Sequence, residues 1–283
     1  MASAPSKAMQ PAAPAWKPET LPPFPAVAVK ALNLIAGRDT SLLELCNLVR
    51  SDSAFTVAIL KIANSPLVAF SGNITSLVQA ATLLGFRRMK SILLTVALKD
   101  YLKTPFNPLL RSCWRHSVAC AIIAERAAKS SGLDNDFAYT AGILHDIGRA
   151  AMATAMPQPY LHMLEAEVDR PQDLLPRERE LFGVDHCQAG ASLVIAWNLP
   201  AIFIDITSAH HNPHSHAHGA ASLLPPSCCM ADTLGFGVAR YRAPLPYADL
   251  IAQLPEPARA HFPPDPKDFV SEMVSEIMLI ESV

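Results

Sequence analysis

The sequence predicts an all-α protein, and three observations lead to that fold class. Apolar residues recur at spacings of three and four, as at Val27, Ala31 and Leu34, which places them on one face of a helix. Residues that start and stop helices punctuate these segments, and no run alternates apolar and polar residues as a strand does. Because 283 residues suffice for two units of ordinary size, we expect two helical lobes.

The first predicted lobe covers residues 20–104 and contains five short helices. Ser41 and Glu44 are spaced as a capping box at the start of the second helix. We expect Asn64 to brace the end of the third helix. Gly85 separates the fourth helix from the fifth. The predicted helices cover residues 27–36, 42–50, 54–65, 76–84 and 87–102.

The second predicted lobe covers residues 105–243, and the segment Pro105–Pro108 marks its start. Residues 1–19 are typical of a flexible Pro/Ala tail. Residues 244–283 are predicted to be a proline-rich segment followed by one last helix at 267–280. The helices predicted within the second lobe cover residues 109–129, 135–155, 160–168, 176–182, 187–197, 200–210 and 226–242.

Composition excludes several classes of protein. Hydrophobic residues make up 51% of the chain and charged residues 17%, so the chain buries a core and is not disordered throughout. The net charge of −2 argues against a broad surface for nucleic acid. A local basic patch around Arg87, Arg88 and Lys90 stays open beside the simpler interpretation, a solvated helix start. The apolar excess is compatible with self-association.

The sequence indicates a cytoplasmic protein with no membrane partner. Its first residues lack the apolar core of a secretory signal. Two long charge-free stretches, 64–86 and 187–204, are interrupted by polar residues or proline and do not match a membrane span. None of the six cysteines forms a CxxC pair, so we interpret them as buried, reduced residues. Redox activity of the adjacent Cys228 and Cys229 is the less favoured alternative.

The ten histidines are unevenly distributed, because none occurs before His116. His116 lies on the apolar stripe of its predicted helix and therefore faces the core. His145-Asp146 ends an apolar helical segment. Gly142 and Gly148 flank this pair, and both allow a close approach of backbones.

Three further segments contribute histidine or carboxylate groups. His186 follows Asp185, a predicted N-cap with Gln188 at the capping-box position, and is in phase with inward-facing residues of its helix. His210-His211 ends the next helix, and Asp232 lies on a later one. A single inward histidine is more often a satisfied core residue, but several on separate helices favour a site. The predicted metal ligands are His116, His145, Asp146, His186, His210, His211 and Asp232.

Neutral imidazoles and carboxylates are ligands for divalent zinc, iron or manganese. Seven such groups exceed the needs of one tetrahedral ion, so we expect one or two divalent metal ions. In a two-metal site Asp146 would be the bridging carboxylate. Such pairs of ions activate a water and stabilise both oxygens of a phosphoryl displacement.

These motifs resemble the HD superfamily of metal-dependent phosphohydrolases. Over residues 20–240 the chain is most similar to one branch of that superfamily, the HDOD domains ("HD-related output domains"). The segments that carry the resemblance are LPPFPAVAVKALNLI, LLELCNLVRSD, ILKIANSP, ITSLVQAATLLGFRRMKSILL, WRHSVACAIIAERAA, AGILHDIGRAAM, FGVDHCQAGASLVIAWNLP and AHHNP.

The resemblance implies two classes of function. HD domains hydrolyse phosphate esters, and their HD-GYP relatives hydrolyse cyclic dinucleotides. HDOD domains are instead regarded as regulatory output modules of bacterial signalling. This chain departs from the HD-GYP pattern at Arg149, where HDIGK has lysine, at Ser112, where an acidic ligand would stand, and in the segment NPHSH, which replaces Gly-Tyr-Pro.

We therefore expect a regulatory module that acts through a signalling protein partner or a bound ligand, with an HD-type His/Asp site able to hold metal. The alternative is a metal-dependent phosphohydrolase acting on a nucleotide or cyclic dinucleotide. In that case Asp146 and Arg149 are the predicted catalytic residues: Asp146 orients the water, and Arg149 neutralises phosphate charge. The sequence alone leaves open whether the site performs a reaction.

Overall fold

The fold was examined in a computed structural model. Its described residues form helices joined by short loops, and the only β-type pairing among them is one isolated bridge between Val168 and Tyr241. The predicted all-α class is therefore confirmed for this part of the chain. Most of the predicted tail, Gly37 and Pro105 lie outside the described residues, and the division into two lobes stays a prediction. The structure describes residues 16–17, 21, 26–36, 41–68, 73–102, 107–211 and 219–282.

Four helices form the N-terminal part of the described chain. They are α1 (Ala26–Ala36), α2 (Leu42–Arg50), α3 (Ser53–Ala63) and α4 (Leu77–Leu102). The predicted capping box is confirmed: the Ser41 hydroxyl accepts a hydrogen bond from the Glu44 N–H at 3.2 Å, and the Glu44 carboxylate accepts one from the Ser41 N–H at 2.8 Å. Asn64 braces the end of α3, because its side-chain amide donates to the Ile74 carbonyl at 2.8 Å and accepts from the Ile74 N–H at 2.8 Å.

A glycine divides α4 into two helical segments. Gly85 has a φ of +76°, in the left-handed region that favours glycine. The sequence predicts two helices at this place, and the structure joins them without an intervening loop. Ser76 caps the first segment as predicted, since its hydroxyl accepts a hydrogen bond from the Gln79 N–H at 3.1 Å.

The following helices are α5 (Pro108–Ser130), α6 (Asn135–Leu144), α7 (Ile147–Ala155), α8 (Pro157–Glu165), α9 (Leu174–Phe182), α10 (His186–Ala196), α11 (Ile202–Ala209) and α12 (Leu224–Ala231). The prediction of one helix over 135–155 is wrong, because the chain leaves helical geometry at Asp146, where φ is −111° and ψ is 23°. The predicted helix at 226–242 is also too long. A π-helical turn, Asp232–Phe236, follows α12, and Gly235 breaks helical geometry there with a φ of +91°.

The C-terminal segment contains more helix than the sequence predicts. Two short helices, α13 (Tyr247–Gln253) and α14 (Glu256–Arg259), lie in the proline-rich stretch, with a proline at or just before the first residue of each. The last helix, α15 (Pro266–Glu281), confirms the prediction at 267–280. It packs against α4 and α5.

Two glycines set how closely the helices around the candidate site can pack. A methyl group on Gly142 would lie 2.4 Å from Ala121 Cα, so α6 and α5 touch through backbone. A methyl group on Gly148 would lie 1.9 Å from the His186 carbonyl oxygen and 2.4 Å from Gly190 N. The close approach that the sequence predicts at both glycines is therefore present, and it holds α7 directly against the start of α10.

The basic patch considered from the sequence is only partly exposed, because Arg87 lies at the surface and Lys90 does not. Lys90 is buried and its ammonium group donates to the Asp136 carboxylate, which joins α4 to α6. Arg88 contacts the carboxylates of Glu276 and Glu125. Lys90 is therefore not on a solvated helix face, and the interpretation of these basic residues as a solvated helix start is wrong for Lys90.

No helix among the described residues is long and apolar enough to cross a membrane.

Candidate metal centre

The structure brings all seven predicted ligands into one buried cluster. His116 lies on α5, and His145-Asp146 occupies the break between α6 and α7. The remaining ligands come from three further places: His186 is the first residue of α10, His210-His211 follows α11, and Asp232 begins the π-helical turn after α12. The ring centroids of His116 and His145 are 5.6 Å apart, and those of His145 and His210 are 4.9 Å apart.

In His145 and His210, Nδ1 faces a backbone carbonyl and Nε2 faces the inside of the cluster. The Nδ1 atom of His145 lies 2.7 Å from the Gly142 carbonyl oxygen, and that of His210 lies 2.9 Å from the Thr207 carbonyl oxygen. A carbonyl oxygen only accepts, so Nδ1 carries the proton and Nε2 keeps its lone pair. The buried Nε2 atoms of both rings have no hydrogen-bond partner among the described residues. Such a tautomer, with Nε2 facing inward, suits metal coordination.

The first group in the cluster combines two histidines with two cysteines. It consists of His116, Cys120, His145 and Cys228, whose ligand atoms all lie within 4.8 Å of one another and whose side chains are buried. Cys120 follows His116 by one helical turn on α5, and Cys228 approaches from α12. The sequence analysis interpreted these cysteines only as buried residues, because their place beside the histidines depends on tertiary packing.

The second group contains His186, His210 and His211, whose ligand atoms also lie within 4.8 Å of one another. Asp146 adjoins this group: its Oδ1 lies 3.6 Å from His186 Nε2 and 3.9 Å from His210 Nε2. The other carboxylate oxygen accepts a hydrogen bond from Arg149 Nε at 2.6 Å. Arg149 also contacts His186, with 3.2 Å between Nη2 and Nε2, so the guanidinium group lies among these ligands.

Glu178 is a site residue that the sequence analysis missed. Its carboxylate accepts hydrogen bonds from the His186 backbone N–H at 2.8 Å and from His186 Nδ1 at 2.6 Å. The Tyr160 hydroxyl donates to the same carboxylate. Glu178 lies on α9 and is fully buried, and its place beside His186 depends on the packing of α9 against α10.

The electrostatics of the buried groups follow from these contacts. Burial alone would raise the pKa of Asp146, but Arg149 and the neighbouring histidines outweigh it and hold the pKa well below its ordinary value. Burial lowers the pKa of His116 to about 3. In His186 the effect of burial is outweighed by Glu178, which raises the pKa to about 10. Burial raises the pKa of Asp232 to about 7.

The cluster is accessible from one side through a cavity of about 330 Å³. His210, His211 and Asp232 are among the residues that line it, together with Arg170 and Tyr241. This volume lies at the lower end of the range for small-molecule sites. The cavity therefore gives a small ligand a route to the second group of histidines.

Comparison with protein families identifies the family of this chain. The family model of the HDOD domain matches residues 21–213, more than half of the sequence. The chain belongs to the HDOD family. The resemblance inferred from the sequence motifs is thus confirmed.

Solved structures support the same fold. An HDOD domain protein of unknown function from Geobacter sulfurreducens has a TM-score of 0.67 and 22% identity, with 93% of this chain and 91% of that chain covered. A candidate signal transduction protein from Marinobacter aquaeolei VT8 has a TM-score of 0.64 and 21% identity, with 93% and 59% covered. At these identities the likeness shows the fold alone.

A curated relative of this HDOD chain has an assigned activity. The cyclic-di-AMP phosphodiesterase PgpH of Bacillus subtilis is 29% identical over 128 residues, which are 42% of this chain and 17% of the relative. The chain covers 39% or less of the curated relatives that it matches.

Proposed function

We propose that this HDOD chain is a regulatory module of bacterial signal transduction that acts through a protein partner or a bound ligand and does not turn over a substrate. Its HD-type cluster holds a divalent metal or a small phosphate-bearing ligand as a structural or sensing element. Membership of the HDOD family supports this function, as does the fold shared with a candidate signal transduction protein.

The contact between Asp146 and Arg149 carries the proposal. A two-metal phosphohydrolase needs its central carboxylate as a metal ligand. Here that carboxylate is hydrogen-bonded to Arg149 at 2.6 Å, and both side chains are almost fully buried. Since a guanidinium group keeps its charge at any accessible pH, Arg149 neutralises Asp146 permanently. The pair therefore disfavours a second cation at the position where the hydrolytic reaction would require one.

A metal-dependent phosphohydrolase is the second candidate function, and the cavity is the observation that favours it. It opens on His210, His211 and Asp232, so a phosphate ester could reach the predicted ligands. A bound divalent metal would supply charge neutralisation for the phosphate and an activated water. In this candidate Arg149 would leave Asp146 and bind the phosphate with two parallel hydrogen bonds.

The two functions differ in turnover. The purified chain is incubated with Mn²⁺, Fe²⁺ or Zn²⁺ and a panel of nucleotides and cyclic dinucleotides, and the products are separated by chromatography. His145→Ala and Asp146→Ala test the site. Asp205→Ala is the control, because Asp205 lies in the first turn of α11, at the end away from His210. Thermal shift with the same panel measures binding without turnover.

For a regulatory module we expect no turnover above the level of the His145→Ala and Asp146→Ala variants with any metal. Turnover by the wild type that both variants lose and Asp205→Ala keeps would overturn this proposal and establish the phosphohydrolase. Arg149→Lys, which restores the HDIGK pattern, serves as a further test. The regulatory proposal requires that this variant also stays inactive, since lysine keeps a positive charge beside Asp146.

A further inference from the structure

We propose that His116, Cys120, His145 and Cys228 form a tetrahedral zinc site that joins α5, the α6–α7 junction and α12. This site is distinct from the His/Asp ligand set expected of HD domains, because two of its four ligands are thiolates. It goes beyond the proposed function and does not depend on whether the chain turns over a substrate.

The distances in this group match those between ligands of one zinc ion. His116 Nε2 lies 3.4 Å from Cys228 Sγ and 3.5 Å from Cys120 Sγ. Tetrahedral ligands with zinc–nitrogen bonds of about 2.0 Å and zinc–sulfur bonds of about 2.3 Å lie roughly 3.5 Å apart. All four ligand atoms lie within 4.8 Å of one another, so small side-chain adjustments complete the tetrahedron.

Contacts outside the tetrahedron hold both imidazoles in the tautomer that zinc requires. His145 donates from Nδ1 to the Gly142 carbonyl at 2.7 Å, and its buried Nε2 has no hydrogen-bond partner among the described residues. Nδ1 of His116 faces the Phe236 carbonyl at 3.2 Å and Asp232 Oδ1 at 3.4 Å. A histidine that donates its outer N–H to a carbonyl or carboxylate is the usual arrangement behind a metal ligand.

The two nearby carboxylates lie outside this group of four. Asp232 contacts Nδ1 of His116, the nitrogen that points away from Cys120 and Cys228. Asp146 accepts from Arg149 and adjoins His186. Each carboxylate keeps one buried oxygen without a hydrogen-bond partner among the described residues, and the two thiols complete the set of four ligand atoms that lie within 4.8 Å of one another. Thiolate ligands favour zinc over manganese or magnesium, so the group selects its metal by ligand type.

The test uses the full chain, stripped of metal with a chelator under reducing conditions and titrated with Co²⁺, which takes the place of Zn²⁺ and reports thiolate ligation by charge-transfer absorption. We expect about one Co²⁺ per chain with this absorption, and Zn²⁺ should displace it. Cys120→Ser and Cys228→Ser should each lose about half of the charge-transfer intensity and weaken metal binding more than about tenfold. Cys229→Ser, which changes the neighbouring thiol, should match the wild type.

A second measurement avoids variants that fail to fold. X-ray absorption at the zinc edge of the zinc-loaded wild type should show sulfur neighbours at about 2.3 Å together with nitrogen at about 2.0 Å. A shell of nitrogen and oxygen alone, Co²⁺ binding without charge transfer, or a wild-type chain that binds neither metal would each overturn the zinc site. A shell of nitrogen and oxygen would leave the proposed regulatory function intact, and a chain that binds neither metal would restrict that function to a protein partner or a small ligand, which the turnover and thermal-shift experiments test separately.

Discussion

At the scale of single residues, the group that contacts Nδ1 determines what each histidine can do. A carbonyl partner, as at His145 and His210, fixes a proton on Nδ1 and leaves Nε2 facing inward. The carboxylate of Glu178 has a different effect at His186, because it raises the pKa of the ring to about 10 against the effect of burial. Two rings of the cluster thus present Nε2 to a metal, whereas the carboxylate of Glu178 fixes a proton on Nδ1 of His186.

Arg149 gives the first stability prediction. Arg149→Ala leaves the buried Asp146 carboxylate without its charge partner, so we expect the free energy of unfolding to fall by about 3–5 kcal/mol. Urea unfolding in the presence of a chelator measures it. The control is Arg170→Ala, which removes an exposed ion pair with Asp173 and should leave stability close to wild type. An Arg149→Ala variant as stable as the control would show that Asp146 is not held by this pair.

At the scale of helices, the sequence predicts where most elements lie but not where they break at the site. Ser41 with Glu44, and Asp185 with Gln188, are local signals, and both predicted capping boxes are present. The break at Asp146 has no local stop signal, because the contacts that favour it come from Arg149 and from the histidines of other helices. A continuous helix over 135–155 is therefore the natural but wrong prediction.

Gly148 gives a prediction for helix packing. In Gly148→Ala the new methyl group would lie 1.9 Å from the His186 carbonyl oxygen and force α7 away from α10. We expect the free energy of unfolding to fall by about 1–3 kcal/mol, together with weaker metal binding. Gly183→Asn is the control, since this glycine is a left-handed helix end with open space around it and asparagine tolerates that conformation. Equal stability of the two variants would contradict the close contact.

At the scale of the whole molecule, the C-terminal helix ties together distant parts of the chain. Glu281 accepts paired hydrogen bonds from Arg111, at 2.9 and 2.8 Å, and from Arg115, both at 2.7 Å. Lys99 of α4 donates to the Glu281 carbonyl at 2.9 Å. The sequence predicts α15 as a helix, but nothing in it shows which charges α15 meets, because the partners lie some 170 residues earlier in the chain.

This contact predicts acid sensitivity. Burial would raise the pKa of Glu281, but the hydrogen bonds and charges of Arg111 and Arg115 lower it from 4.5 to about 2. Because the folded pKa lies below the unfolded one, ionised Glu281 stabilises the fold above pH 4.5, and this contribution is lost as the pH falls towards 2. The difference in unfolding free energy between wild type and Glu281→Gln should therefore be constant above pH 5 and shrink below about pH 4.5.

Urea unfolding at pH 3, 4, 5 and 6 measures this difference. In a background with Arg111→Gln and Arg115→Gln the same comparison should become nearly independent of pH. A difference that stays constant from pH 6 to pH 3 in the native background would mean that the arginines do not act on Glu281.

The histidines of the candidate site, with Asp146, Arg149 and Asp232, were predictable from the sequence, whereas its thiols and Glu178 were not. Helical phase places His116 and His186 inward, and the His-Asp pair marks the α6–α7 junction. Cys120, Cys228 and Glu178 join them only through the packing of α5, α9 and α12, which a single sequence does not specify. The ligands predicted from the sequence are therefore histidines and carboxylates, and the cysteines are predicted only to be buried.

The contact at Gly148 also has a mechanical consequence. Since backbone meets backbone there, α7 and α10 cannot slide past each other, and neither can turn without displacing the other. Asp146 precedes α7 and His186 begins α10, so a ligand that pulls on one of them moves both helices as a rigid body. A small displacement at the cluster would thus move the outer ends of both helices at once.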